Sequence, residues 1–342
     1  YYLAQKFGYT ELKSFYFGRI INGLFCVAVC ALSLTLCSEA AKLWLLLCLC
    51  IPENYQLFAS FSQDGVSISF LLLSLALMSN FRKFKNKNLI IILSTLFLSF
   101  FVMSKPPYFP FLFIPFVLYN KKYMKQTIAA LFVAFFMVFL WCFYGVLPAS
   151  AATNPADHPS ALGQINNMIN HPLFILKVLW NTFAPFPFGQ SGDYLFRTFL
   201  ATLAWGWMVE HLKFYYGIFL AFIFLIFFWY IMKIIFTSEN SGRLSAILIF
   251  VIAILSGLGA TFATYLTWSP VGAIRAVGTN GRYFIPCFCT LLSCSEYITV
   301  NAKEKCIILK IQNYFFPLFF IFSNFVFLYS IYIRFWWPIS SP

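Results

Sequence analysis

The chain has 342 residues, of which 61% are hydrophobic, 22% aromatic and only 10% charged, whereas an average soluble domain is about 45–50% apolar and about 25% charged. So few charges cannot cover a water-soluble body of this size, which excludes a soluble enzyme, a disordered chain and a secreted disulfide scaffold and leaves an integral membrane protein. The 23 Lys and Arg against 10 Asp and Glu stand in short clusters between apolar runs, a pattern that speaks for orientation in a bilayer and contact with membrane lipids, and against nucleic acid as a partner.

The chain opens Tyr1-Tyr2-Leu3, without Met or a signal peptide, and reads as N-terminally truncated. In chain order the apolar runs are 15–37, 42–61, 64–79, 89–104, 108–120, 126–147, 214–236, 244–267, 283–300 and 307–330. With about 20 apolar residues to a span, these runs predict an all-α polytopic membrane protein of about ten helices, a single helical domain over residues 1–342. The run 108–120 is short, and Pro52, Glu53 and Asn54 interrupt 42–61. Broken membrane helices line protein or a watery cavity, because the freed backbone groups need partners.

Arg82, Lys83, Lys85 and Lys87 form one basic cluster and Lys121, Lys122 and Lys125 another, both expected in the cytoplasm. The segment between them therefore crosses twice and turns outside at Ser104-Lys105-Pro106-Pro107. Lys303, Lys305 and Lys310 mark a third inner loop, Lys233 with Arg243 a fourth. The outer face then holds residues 1–14, the turn at Gln63-Asp64, the Lys105 turn, a polar extracytoplasmic loop 148–213, the loop 268–282 and the C-terminus. Lys6, Lys13 and Arg19 fall on that face against the rule.

Within 148–213, Pro172–Phe183 and Tyr194–Met208 read as apolar helices lying on the outer membrane surface, with Trp180 and Trp205 at the interface, or alternatively as a membrane-dipping pair. The loop holds His158, His171 and His211 with Asp157, Asp193 and Glu210. Neighbouring residues on a helix point apart, and neither HxH nor HxxxH spacing occurs, so solvated loop groups are favoured over a divalent-metal site and no cofactor is expected. The ten cysteines contain no CxxC and sit in or beside apolar runs, as small packing residues do. Ser256, Gly257, Gly259 and Ala260 make a small-residue face for close helix packing; no P-loop or Ser-His-Asp pattern is present.

Several strings follow in order: Phe61-Ser62-Gln63-Asp64, Ser104-Lys105-Pro106-Pro107-Tyr108, Asn170-His171-Pro172-Leu173-Phe174, Leu203-Ala204-Trp205-Gly206-Trp207, Thr267-Trp268-Ser269-Pro270-Val271-Gly272 and Asn280-Gly281-Arg282-Tyr283-Phe284-Ile285-Pro286. Over nearly the whole chain this resembles the bacterial predicted-membrane-protein family filed as domain of unknown function 2142, which is grouped with the GT-C glycosyltransferases. The resemblance implies a multi-pass protein of the bacterial cytoplasmic membrane that takes sugar from a polyprenyl-phosphate donor at the outer face and passes it to a cell-surface glycan acceptor. GT-C enzymes carry a key acid in the first outer loop; Glu11 is the sole acid left there and is not assigned that role.

Such a transfer needs cations for the leaving phosphate, a carboxylate for the acceptor hydroxyl and apolar grooves for the lipid tail. Lys105, Arg275 and Arg282 are the phosphate candidates, and snorkelling to lipid headgroups is the alternative role for each. Two prolines stiffen the chain after Lys105, and Arg282 stands at a helix start, whose dipole favours anions. Asp64 is the candidate catalytic carboxylate, with a helix N-cap as the plain alternative. Asp193, Glu210 and Tyr283 are candidates for substrate contact, whereas Trp205, Trp207, Tyr215 and Tyr216 suit an interface belt. The competing functions are a non-catalytic component of surface-polysaccharide assembly and a lipid or sugar transporter. Span centres almost free of charge disfavour the transporter.

Overall fold

The computed structural model describes residues 5–6, 8–60, 62–146, 160–184, 225–236, 240–298 and 302–335. Among the described residues there are helices and turns and no strand, as the all-α reading expects. Helix α1 spans Glu11–Leu36, with the Thr10 side chain capping Lys13 N. A break at Cys37-Ser38 leads to α2, Glu39–Leu49, where Ser38 accepts from Ala41 N. Pro52 then starts α3, Pro52–Ala59, because proline is tolerated in a first turn whose N–H groups have no helical acceptor. After Ser60 the chain bends by 116° into α4, Gln63–Ser79.

Gly65 makes that bend possible: a Cβ there would lie 2.6 Å from the Leu57 carbonyl oxygen, so any side chain would push α3 off α4. Helix α5, Lys87–Ser104, returns antiparallel to α4, and Ser74 Oγ donates to the Ser94 carbonyl at 2.7 Å across the pair. The next segment is a 3₁₀ stretch, Pro106–Phe113, followed by a short α6, Ile114–Leu118. Pro106, Pro107, Pro110 and Pro115 exclude a regular α-helix here. A 3₁₀ helix rises about 2.0 Å per residue against about 1.5 Å in an α-helix, so this short piece still covers most of a bilayer's thickness. Its far end is pinned where Tyr119 Oη meets Ser94 Oγ at 2.6 Å.

Helix α7, Met124–Trp141, goes back toward the rim and ends in a π-turn, Cys142–Val146. Two short helices follow: α8, Ala161–Asn170, which the sequence pattern did not announce, and α9, Phe174–Phe183, close to the predicted Pro172–Phe183. Leu162, Leu173, Leu176 and Trp180 are exposed on this pair, an arrangement suited to a bilayer surface. The other expected surface helix, Tyr194–Met208, lies outside the described residues. Helix α10 is Leu225–Phe236 and α11 is Asn240–Trp268. The chain then descends through a 3₁₀ turn, Gly281–Phe284, α12, Ile285–Cys289, and a second 3₁₀ run, Thr290–Tyr297. It closes with α13, Ala302–Lys310, and α14, Phe316–Phe335.

By length and composition the described residues hold fewer spans than the expected ten or so. Among the described residues four helices are long and apolar enough to cross a membrane, or five if the bent α3–α4 pair counts as one. The difference has two physical causes: the proline-rich and 3₁₀ segments are too short or irregular to qualify, and Cys50-Ile51-Pro52 divides the run 42–61; the stretch 214–224 of the run 214–236 lies outside the described residues.

The elements sort polar groups to two ends. At one end Phe81 lies against Tyr119 with ring centroids 4.4 Å apart and planes tilted by 40°, and meets Tyr123 edge-on at 5.5 Å, which brings both basic clusters together. Ser38 N donates to Ser79 Oγ there, and Ser38 Oγ meets Ser295 Oγ at 3.1 Å. Between the ends, buried Trp44 donates Nε1–H to the Phe288 carbonyl at 3.0 Å, with its ring 4.5 Å from Phe288 and 5.2 Å from Tyr230. The opposite end, the rim, carries the starts of α3 and α4, the Lys105 turn and the loop after α11. All ten cysteines are free thiols, most of them buried.

Candidate functional site

The rim is built by close backbone packing. Helix α11 presents its small-residue face to two segments at once. A Cβ on Gly259 would lie 3.0 Å from the Pro107 carbonyl oxygen, and one on Gly257 would lie 3.1 Å from Phe284 Cε1. The glycines thus let the Lys105 turn and the Arg282 turn approach the same helix face. Tyr108 ties the two turns directly: its fully buried hydroxyl donates to the Tyr283 carbonyl at 2.5 Å.

Lys105 follows the last turn of α5, its N–H bonded to the Val102 carbonyl, with a backbone held out of the helical region by the following proline (φ −145°, ψ 84°). From there its Nζ reaches Asp64 Oδ1 at 3.0 Å, with the side chains 21% and 10% exposed. Ser62, not Asp64, caps α4, accepting from Asp64 N at 3.1 Å. The N-cap role considered for Asp64 is therefore filled by a neighbour, and the Asp64 carboxylate in the first turn is turned to the ion pair. Lys105 Nζ also lies 5.0 Å from the Tyr283 ring centroid, and the Arg282 guanidinium 5.5 Å from it, so one aromatic ring serves two cations.

Arg282 is half-buried in a turn capped by Asn280, whose Oδ1 accepts from Arg282 N at 3.1 Å. Burial alone would weaken the guanidinium's hold on its proton. Tyr283 and the carboxylates of Asp64 and Glu53 outweigh that and raise its pKa. Its Nε is buried and has no hydrogen-bond partner among the described residues, a donor left over in a site with two nearby acids.

Asp64, Lys105, Arg282 and Tyr283 thus come together. Arg275 is an exposed residue of the loop 269–280, whose shape is set from α8 and α9. Gln164 Oε1 accepts from Gly272 N at 2.8 Å, Asn181 Nδ2 donates to the Ile274 carbonyl at 3.0 Å, and Thr182 Oγ1 accepts from Ala276 N at 2.9 Å. Asp193 and Glu210, like Asp157, His158 and His211, lie outside the described residues. Among the described residues no three His, Cys, Asp or Glu side chains gather as a metal site. Glu53 is the site residue that sequence reasoning passed over as a mere interruption; an acid inside an apolar run was the available signal.

Beside the Arg282 turn an apolar cavity of about 420 Å³ opens between α11 and the descending segment, lined by Phe183, Phe250, Ile254, Gly257, Phe284 and Leu291 among others. Among the described residues none that lines it is charged, and Phe284 is the one from the Arg282 turn. The family model described as Predicted membrane protein (DUF2142) matches residues 2–291, and the chain belongs to that family. No curated protein and no solved structure matches it.

Proposed function

We propose that this membrane protein holds the phosphate of a polyprenyl-phosphate-linked sugar at the rim and, in the manner of a GT-C glycosyltransferase, passes the sugar to a cell-surface glycan at the extracytoplasmic face of the bacterial cytoplasmic membrane. The observation that supports it best is the convergence of Asp64, Lys105 and Arg282 around Tyr283, with Phe284 of the same turn lining an apolar cavity. The polyprenyl tail lies in the cavity. Arg282 and Lys105 neutralise the phosphate, with Arg275 assisting from the loop and other membrane lipids sealing the rim.

In the resting site Asp64 is held by Lys105. An arriving phosphate competes for the lysine and frees the carboxylate to accept the proton of the acceptor hydroxyl. The acceptor oxygen bonds to the sugar's anomeric carbon, the carbon–oxygen bond to phosphate breaks, and polyprenyl phosphate leaves with the electron pair. Asp193 and Glu210 are assigned to the acceptor sugar and Tyr283 to the donor.

The test is transfer of a labelled sugar from polyprenyl phosphate to glycan by the protein in membranes. Arg282→Ala and Lys105→Ala, inserted at normal levels, abolish it if the reading holds; undiminished transfer refutes the assignment. Saturable donor binding with no transfer in the unmodified protein selects the non-catalytic assembly component over the enzyme.

A further inference from the structure

Glu53 and Asn54 are both 0% exposed, in a chain that has few acids to spare. A carboxylate taken out of water is costly unless something offsets it, and an acid within a membrane protein's apolar body marks a functional site by default. Part of the offset is local. Glu53 stands in the first turn of α3, where helix N–H groups favour an anion, and Asn54 Nδ2 donates to the Cys48 carbonyl at 2.6 Å, closing the break before it.

The register of the fold sets its neighbours. Helix α2 and the descending segment run antiparallel, joined at Ser38–Ser295 and at Trp44–Phe288. Beyond that pairing α3 begins at Pro52, and its Leu57 lies against Gly65, next to Asp64 and its partner Lys105. The Arg282 guanidinium feels both Glu53 and Asp64, while Gly65 holds α3 tight against the start of α4.

Beside this acid the structure leaves acceptors unused. Gln56 Oε1 and Asn54 Oδ1 are buried with no hydrogen-bond partner among the described residues, and Gln56, three positions after Glu53, shares its face of α3. A carboxylate and a carboxamide oxygen repel a phosphate and attract hydroxyl donors. We infer that Glu53 and Gln56 form a hydroxyl-reading subsite next to the phosphate cations, which binds the sugar of the headgroup and so separates a glycosylated polyprenyl phosphate from the bare one. This inference rests on the reading of the rim as a polyprenyl-phosphate site.

The experiment measures affinity of the full chain in nanodiscs for undecaprenyl phosphate and for a panel of undecaprenyl phosphohexoses. The unmodified protein prefers at least one phosphohexose over the bare phosphate by about tenfold, the worth of one charge-assisted hydrogen bond. Glu53→Gln erases that preference while bare-phosphate affinity holds or tightens, because a negative charge has left the neighbourhood of Arg282. A misfolded variant loses both ligands. Gln56→Ala, at a half-buried position, lowers the preference without touching the charge. Equal affinity for bare and glycosylated ligands in the unmodified protein, or a preference that survives both substitutions, overturns the subsite and leaves the phosphate site standing. Absence of binding by bare undecaprenyl phosphate refutes the rim reading itself.

Discussion

The two ends of the bundle both carry cations, and they use them differently. At the basic end Arg82, Lys83, Lys85, Lys121, Lys122 and Lys125 are exposed, and partners come from nearby chain. Lys87 Nζ donates to the Phe81 and Arg82 carbonyls, both at 2.6 Å, and Lys122 lies 5.8 Å from the ring of its neighbour Tyr123. At the rim Lys105 and Arg282 are partly buried, and Lys105 is matched to an acid delivered from distant sequence, Asp64. Number and exposure of charge set how a chain sits in a bilayer; burial and pairing make a place where a ligand's charge matters.

The largest expected contrast follows from that difference. Arg282→Ala or Lys105→Ala lowers affinity for undecaprenyl phosphate by roughly 10- to 100-fold, since a hydrogen bond to a charged group contributes about 1.5–3 kcal/mol. Lys83→Ala with Lys122→Ala stays within about twofold in the same nanodisc assay, because exposed charges at the other end are screened. Equal losses at both ends would show a general attraction to basic surface and erase the distinction.

Next in size is the packing that assembles the rim. Gly65→Ala puts a Cβ 2.6 Å from the Leu57 oxygen, and overpacking of this kind costs about 1–3 kcal/mol, visible as a lower unfolding temperature in detergent. Gly259→Ala meets Pro107 at 3.0 Å. It is expected at the low end of that range, with a loss of ligand affinity as the Lys105 turn is displaced. The small-residue face of α11 is thereby tied to the site as well as to stability.

Smaller still is the effect of the shared ring. Tyr283→Leu removes the face against which Lys105 and Arg282 rest, and cation–π contacts contribute about 0.5–2 kcal/mol, so affinity drops roughly 2- to 30-fold. Tyr283→Phe keeps the ring and the carbonyl that Tyr108 bonds, and holds affinity within about twofold. A large loss with phenylalanine would assign the hydroxyl, not the ring, to the ligand.

What the sequence announced and what it hid divide along the range of the interactions. The Lys105 turn was legible because Ser104-Lys105-Pro106-Pro107 ends a helix by local chemistry alone, and the meeting of the two lysine clusters followed from charge counting. The Asp64–Lys105 pair was not legible, because both residues were candidates but nothing local links a helix start to a turn 41 residues on. Glu53 was hidden by its setting: a proline before it explained the break so well that the acid read as part of the interruption. Helix α8 has mixed polarity and sits in a polar loop, so its hold on the 269–280 loop through Gln164 emerges only in three dimensions. The residues 106–118 show how a span can be misjudged by length, since a 3₁₀ path stretches fewer residues farther.

Docking of a lipid phosphate between Lys105 and Arg282 is open to photocrosslinking. A polyprenyl phosphate bearing a diazirine beside its phosphate is bound to the protein in nanodiscs, activated, and its attachment sites mapped by mass spectrometry. Labels are expected on peptides holding Lys105–Tyr108 and Arg282–Phe284, competed away by unlabelled polyprenyl phosphate and lost in the Lys105→Ala, Arg282→Ala double variant. Labelling concentrated on the Arg82–Lys87 and Lys121–Lys125 segments, or unchanged in the double variant, would contradict it.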